Sequence, residues 1–193
     1  MRALALAAVL LLAGCASQPQ LPPARDWAAR RAELLSLEAW QVSGRVAVAA
    51  DGRGASASLD WLQAGSASDV RLRGPFGSGA LRILMDDGEL ALEDGQGGRL
   101  AGADAHRYLL DQLGTDLPIA ALRFWLLGMP APGEPSDETF GGDGRLVSFR
   151  QSGWLVEIPR YQKVGDGVLP ARLAASDGAV RVKLAVGDWE LRP

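Results

Sequence analysis

The sequence predicts a mainly β fold, built as antiparallel meanders that curl into a barrel or split into a sandwich. Three observations predict it. Apolar residues recur at every second position over most of the chain, as on strands with one buried face. Asp-Gly and Ala-Gly pairs fall between those runs and supply tight turns. About ten short strands follow one another with short links, which pairs neighbours antiparallel and makes them curl or split.

The first element is not part of that fold. Arg2 is followed by Ala3 to Leu12 without a polar residue, and the run closes on Leu12-Ala13-Gly14-Cys15. A charged start, an apolar middle and small residues before a cut make a secretory signal. A cysteine at the cut marks a bacterial lipoprotein signal: the thiol is acylated, residues 1–14 are removed, and Cys15 becomes the N-terminus. An ordinary signal with a chance cysteine is the alternative. The apolar run is shorter than the ~20 residues needed to span a bilayer, so the mature chain is expected to be anchored rather than threaded. Cleavage leaves 179 of 193 residues, enough for one domain with a real core. The signal carries one basic residue, so the net charge moves from −3 to −4. Such a balance has no strong pull toward nucleic acid or anionic lipid. Cys15 is the only cysteine, which excludes an intrachain disulfide.

Residues 16–25 hold three prolines and little to bury, and read as a flexible tether. The domain is expected over 26–193. Asp26 reads as the N-cap of a short amphipathic helix carrying Trp27, Arg30, Leu34 and Leu37. The period then becomes two. Trp40, Val42, Val46 and Val48 form one apolar face; Ala55, Ala57, Leu59 and Trp61 form the next; Val70 and Leu72 follow. Further strands are expected at 79–85, 88–93 and 97–101. Asp104 is expected to cap a helix with Tyr108, Leu109 and Leu113, closed by Gly114. Pro118 stands where a first helical residue belongs. The stripe Ile119, Leu122, Trp125 and Leu126 follows and ends at Gly128 and Pro130. This helical pair needs an apolar partner, and the barrel mouth or interior is the economical place. The Gly/Pro-rich stretch 130–144 leads back to strands at Trp154, Val156 and Ile158 and at Val180 to Val186, and the chain finishes on Trp189 and Leu191.

Catalytic chemistry finds little support. His106 is the sole histidine and is expected to be solvated. No spacing of His, Cys or carboxylates suits a metal, and no cofactor is implied. There is no G-x-S-x-G elbow, and Gly74 to Gly79 lacks the lysine of a phosphate loop. Asp86-Asp87 and Asp137-Glu138 read as turn residues. The loop around Pro75, Phe76 and Gly77 is more informative. Phe76 lies between a rigid proline and a permissive glycine, either exposed as a membrane or ligand contact or folded onto the barrel rim. Of the six tryptophans, Trp40, Trp61, Trp154 and Trp189 fall on strand faces and Trp125 on the helix stripe. They either fill a core or line a cavity for an apolar ligand.

Several fragments, in order and spacing, resemble the LolB family: Trp40-x-x-x-Gly44-Arg45, Trp61-Leu62-Gln63, Gly74-Pro75-Phe76-Gly77, and Leu117-Pro118. Leu122-Arg123-Phe124-Trp125-Leu126-Leu127-Gly128-Met129-Pro130, Gln151-Ser152-Gly153-Trp154, Leu169-Pro170, and Lys183-Leu184 with Trp189 continue the match. The resemblance implies a half-open antiparallel barrel with a helical plug and a cavity for acyl chains. It implies receipt of acylated lipoproteins from a periplasmic carrier of the LolA type and their insertion into the inner leaflet of the outer membrane. It further implies a lipid-anchored protein facing the periplasm, acting as a monomer, with Phe76 standing where the family often has an apolar loop-tip leucine. Ala16 fits outer-membrane sorting, since Asp after the cysteine is the family's retention signal for the inner membrane. The cavity residues expected on that basis are Trp40, Val46, Trp61, Leu122, Trp125, Leu126, Trp154 and Val156. A structural envelope scaffold with a filled barrel is the alternative.

Overall fold

The computed structural model describes residues 21–24, 26–50, 52–74, 79–115, 117–133 and 136–192. The signal, Cys15, and the Pro75-Phe76-Gly77 segment lie outside the described residues.

Eleven strands form one antiparallel sheet. They are β1 (Ala39–Ala50), β2 (Arg53–Ala64), β3 (Ala67–Arg73), β4 (Ala80–Asp86), β5 (Glu89–Asp94) and β6 (Arg99–Ala101), then β7 (Asp137–Phe140), β8 (Leu146–Gln151), β9 (Trp154–Val164), β10 (Gly167–Ser176) and β11 (Val180–Arg192). Their spatial order is β6-β5-β4-β3-β2-β1-β11-β10-β9-β8-β7. Each half is a meander, and the first and last long strands close on each other at the centre. Among the described residues the edge strands β6 and β7 are not paired with each other, so the sheet stays open.

The burial follows the alternation read from sequence. Trp40 and Val42 on β1, Leu59 and Trp61 on β2, and Trp154, Val156 and Ile158 on β9 are all buried. One irregularity sits at the seam between β1 and β11. Ser43 opposes Asp188 and Gly44 opposes Val186, which leaves Gly187 as the extra residue of a bulge. A Cβ on Gly44 would lie 2.3 Å from the Ala185 carbonyl oxygen. Only glycine allows that approach.

Three helices cover the concave side: α1 (Trp27–Leu35), α2 (Ala103–Leu113) and α3 (Ile119–Leu127). Asp26 caps α1, its carboxylate accepting from the Ala29 amide at 3.2 Å. For α2 the cap lies two residues before the one expected. Gly102 is the N-cap, and Asp104 instead lies in the first turn and pairs with Arg107 at 3.3 Å. A positive φ at Gly102 makes the entry that the Asp104 cap was expected to make. Gly114 closes α2 in the left-handed conformation as expected. Pro118 is the N-cap of α3 rather than its first helical residue, with ψ of 73° outside the helical region. Gly128 ends α3 with φ of 85°, and a Cβ there would also press on Pro170 at 3.0 Å.

β7 runs through a segment read otherwise, and β8 and β10 run through segments to which no element was assigned. β7 lies inside the stretch 130–144, and it carries Asp137 and Glu138, which are strand rather than turn residues. Exposed polar edge strands have no apolar alternation to reveal them. β10 was masked by Pro170, where the register with β9 shifts. His106 is exposed, its Nδ1 3.0 Å from the Gly102 carbonyl.

The sheet bends around α3. β2 and β9 are separated by four strand spacings, ~19 Å if flat. Yet Leu126 packs in one cluster with Trp61 of β2, and Trp125 packs in another with Trp154 of β9. Neighbouring residues of one helix reach both only because the sheet wraps it.

Candidate functional site

The site is the concave face of the sheet with α3 seated in it. Helix α3 is apolar almost all round, as a helix enclosed on all sides must be. Trp125 is 0 % exposed and Leu126 1 %, while Leu122 is half-buried. Fully burying an indole removes ~200 Å² from water, about 5 kcal/mol at 25 cal/mol/Å². Trp125 alone is therefore a large part of what holds the helix in place.

Of the residues expected to line a cavity, Trp125, Trp154 and Val156 form one buried cluster, with Val46 and Leu122 packed against it. Trp40, Trp61 and Leu126 form a second, and Leu122 packs against that one too. The five strand residues therefore gather around Leu122, Trp125 and Leu126 of α3, in two lobes bridged by Leu122. The rings touch directly. Trp40 lies 5.5 Å from Trp61 and 5.4 Å from Trp189, and Trp125 lies 6.2 Å from both Trp154 and Phe149. With α3 in place these side chains meet one another and the helix.

Open space remains at one end of the helix. A cavity of about 360 Å³ lies between α1, α3 and the β2–β3 turn, lined by Leu34, Leu37, Trp40, Phe124 and Leu127, with Arg123 and Glu38 at its rim. That volume is at the low end of ligand pockets. A smaller space of about 80 Å³ lies beneath residues 22–24, against Trp27, Leu127 and Tyr161. Here the tether meets the body: the Arg145 guanidinium donates to the Pro22 carbonyl, and Arg30 donates to the Val168 carbonyl.

Two buried glutamines organise this site, Gln151 by fastening the helix and Gln63 by fixing the β2–β3 turn beside it, and sequence reasoning gave neither a role. Gln151 is buried at the end of β8. Its Oε1 accepts from Trp125 Nε1 and from the Ala131 amide, both at 2.9 Å, and its Nε2 donates to the Ala131 carbonyl at 2.9 Å. Gln63 is buried on β2. Its Oε1 accepts from Trp61 Nε1 at 3.1 Å and from Ser68 Oγ at 2.6 Å, and its Nε2 donates to the Gly65 carbonyl at 2.9 Å. Arg123 of α3 donates to the same Gly65 carbonyl at 2.9 Å, with its guanidinium 4.5 Å from the Phe124 ring centre. The signal for both glutamines was a polar residue on the apolar parity of its strand, two positions after a buried aromatic residue, Trp61 for Gln63 and Phe149 for Gln151.

The titratable groups near the helix are few. Burial pushes the Tyr161 hydroxyl well above its usual range, and its O–H donates to the Leu146 carbonyl at 2.6 Å. Among the described residues no three His, Cys, Asp or Glu side chains are placed to hold a metal ion. No described helix is long and apolar enough to cross a membrane. The arrangement suits an apolar ligand that competes with α3 for the concave face.

Comparison with known proteins agrees with that geometry. A family model described as outer membrane lipoprotein LolB matches residues 38–189. A relative from Pseudomonas putida, an outer-membrane lipoprotein LolB, is 38 % identical over 190 residues, 95 % of this chain and 93 % of its own. Its counterpart from Pseudomonas aeruginosa is 36 % identical over 195 residues, 98 % of this chain and 95 % of its own. Among solved structures, a LolA superfamily protein from Nitrosomonas europaea superposes with a TM-score of 0.52 at 14 % identity, covering 82 % of this chain and 88 % of that one. A DUF1329 family protein from Desulfovibrio piger gives 0.53 at 6 % identity, covering 85 % and 90 %. Those two likenesses establish a shared fold, and the match over 38–189 together with the Pseudomonas relatives establishes more: this chain belongs to the LolB family of outer membrane lipoproteins.

Proposed function

We propose that this protein is a lipid-anchored receptor at the outer membrane, facing the periplasm. It accepts acylated lipoproteins from a soluble LolA-type carrier and inserts them into the inner leaflet. The observation that carries the reading is the seating of α3: an apolar helix, not a strand, fills the concave face of a sheet left open between β6 and β7. A helix can leave without breaking the strand ladder.

The energetics favour such an exchange. An acyl chain of ~15 methylenes at ~0.8 kcal/mol each brings ~12 kcal/mol of burial free energy. That is comparable with what Trp125, Leu126 and Leu122 contribute when packed. Acyl chains entering the space beside Trp40 and Phe124 would displace α3 and take over the faces of Trp40, Val46, Trp61, Trp154 and Val156. Transfer then runs downhill between apolar sites, without nucleotide and without catalysis, in a monomer. Acylated Cys15 supplies the anchor, and the Pro75-Phe76-Gly77 loop supplies the apolar contact with the leaflet at release.

The test is native mass spectrometry of the mature chain, made as a Cys15→Ala form, with a triacylated lipopeptide. One bound lipopeptide per chain is expected. The packing of Trp125 against Trp154 and Phe149 favours, as a second reading, a filled barrel that scaffolds other envelope proteins. A spectrum of unliganded chain alone would select it.

A further inference from the structure

The chain is acidic overall, with a formal charge of −3, yet cations gather on its convex face. Arg45 on β1, Arg172 on β10, Arg160 on β9 and Lys183 on β11 are all exposed. None has an acidic partner among the described residues. The register sets them side by side. Arg45 and Arg172 both oppose Ala185, and Arg172 opposes Arg160. At ~4.8 Å per strand the row spans ~14 Å. Lys183 opposes Ala47 and Ala174, one step along the same face. Arg181 lines the same groove and is paired at 3.0 Å with Glu157, which opposes Ala174 and is the nearest acid on that side. The nearest acids in the other direction, Asp60 and Asp188, both oppose Ser43, and Asp60 is held by Arg73 at 3.1 Å.

The surface between Arg45, Arg172 and Lys183 is a shallow groove of about 370 Å³ floored by Ala47, Pro159, Ala174 and Ala185, with Arg160 just outside it. Small apolar residues, Ala47, Ala174 and Ala185, stand directly across from Lys183, Arg45 and Arg172. Like charges placed directly across a strand pair destabilise it, so Arg172 beside Arg160 is held at a cost to the fold. Unpaired arginines offer planar forks suited to phosphate oxygens.

We propose that this groove is a headgroup site for anionic phospholipid in the membrane to which the chain is anchored. The proposal rests on the lipid-anchored reading for the nearness of that membrane, and not on cargo transfer. Anchoring confines the chain to the surface, so a few weak contacts suffice to lay the convex face against it. Net charge alone argues against anionic lipid, and the local distribution reverses the sign on this face.

The experiment is vesicle sedimentation of the mature Cys15→Ala chain, which keeps every described residue. Vesicles of phosphatidylglycerol mixed with phosphatidylcholine are compared with phosphatidylcholine alone, at low and high salt. Binding is expected only with phosphatidylglycerol and is expected to weaken with salt. The double variant Arg45→Gln with Arg172→Gln should bind about 25-fold more weakly, roughly fivefold per cation lost. A control with the same charge change elsewhere, Arg99→Gln with Arg107→Gln, should bind as the parent does. Equal binding to both vesicle types, no binding to either, or equal loss in patch and control variants would overturn the site. Lipopeptide binding by the Arg45/Arg172 variant, read by native mass spectrometry, should be unchanged, which separates this proposal from the receptor reading. An unchanged thermal melt confirms that the variant is folded.

Discussion

The indole N–H of Trp125 donates to the side-chain carbonyl of Gln151 at 2.9 Å, and both residues are buried. This bond joins the last turn of α3 to the end of β8. The same glutamine holds both backbone groups of Ala131, just beyond the helix. One side chain therefore fastens the helix and its exit from the concave face.

Replacing Gln151 by Leu leaves the Trp125 N–H and the Ala131 amide and carbonyl buried without partners. Each orphaned group costs about 1–3 kcal/mol before relaxation, so a loss of at least 2 kcal/mol is expected. Trp125→Phe keeps most of the ring but drops the donor, and should cost about 1–2 kcal/mol; Trp125→Ala adds the cavity and should cost about 3–5 kcal/mol. Urea unfolding of the three variants reads this ladder. A Gln151→Leu chain as stable as the parent would mean that the bond does not hold the helix. The weakened variants should also take up an environment-sensitive apolar dye, because the concave face opens more often.

The bulge at the β1–β11 seam is a second place where one residue decides. A methyl group on Gly44 would meet the Ala185 carbonyl oxygen at 2.3 Å, and that oxygen belongs to the backbone ladder. Gly44→Ala should destabilise by about 1–3 kcal/mol through a forced backbone shift. Gly54→Ala is the matched control, since its nearest neighbour would be the Val48 carbonyl oxygen at 3.8 Å. Thermal melts of the two should separate clearly.

These two cases show what a sequence displays. The β class, the strand faces and the α3 stripe were legible because burial writes itself as a period of two or 3.6. The eight apolar residues expected to line a cavity were legible as inward-facing for the same reason: the five on strands pack in clusters with the three on α3. What they do there was not legible: Trp40 and Trp61 look alike whether they line a cavity or fill a core. The roles of Gln63 in the β2–β3 turn and of Gln151 as a clamp on α3 were invisible, because a polar residue on an apolar face acquires meaning only when its partners are known. β7 was hidden by its exposure. The cross-strand row of Arg45, Arg172 and Arg160 depends on register, which no local pattern encodes.

Acid should loosen the link between α2 and α3. Thr115 Oγ1 donates to Asp177 Oδ2 at 2.6 Å, and Oδ1 accepts from the Ala179 and Val180 amides at 2.9 and 2.8 Å. The Thr115 hydroxyl first, and those amides after it, hold the Asp177 carboxyl below its usual range. Because the folded value is depressed, this stabilisation is complete above the unfolded value of about 3.9 and is lost as pH falls through the folded one. Asp177→Asn should therefore melt below the parent at neutral pH, and the gap should close in strong acid. A gap that stays constant down to low pH would assign the effect to something other than the carboxylate.

The receptor reading makes its sharpest demand on Phe76. In that reading Phe76 contacts the leaflet at release and takes no part in holding cargo on the concave face. Phe76→Glu puts a charge where an apolar group must enter the headgroup region, and moving a carboxylate out of water costs several kcal/mol. Lipopeptide binding in solution should stay at the parent level, while delivery to liposomes should fall at least tenfold. Phe76→Leu keeps an apolar tip of smaller volume and should restore delivery. Paired measurements on one preparation, native mass spectrometry for binding and flotation for delivery, separate the two steps. Loss of both together would place Phe76 in cargo binding, and delivery unaffected by the glutamate would remove the loop from the release step.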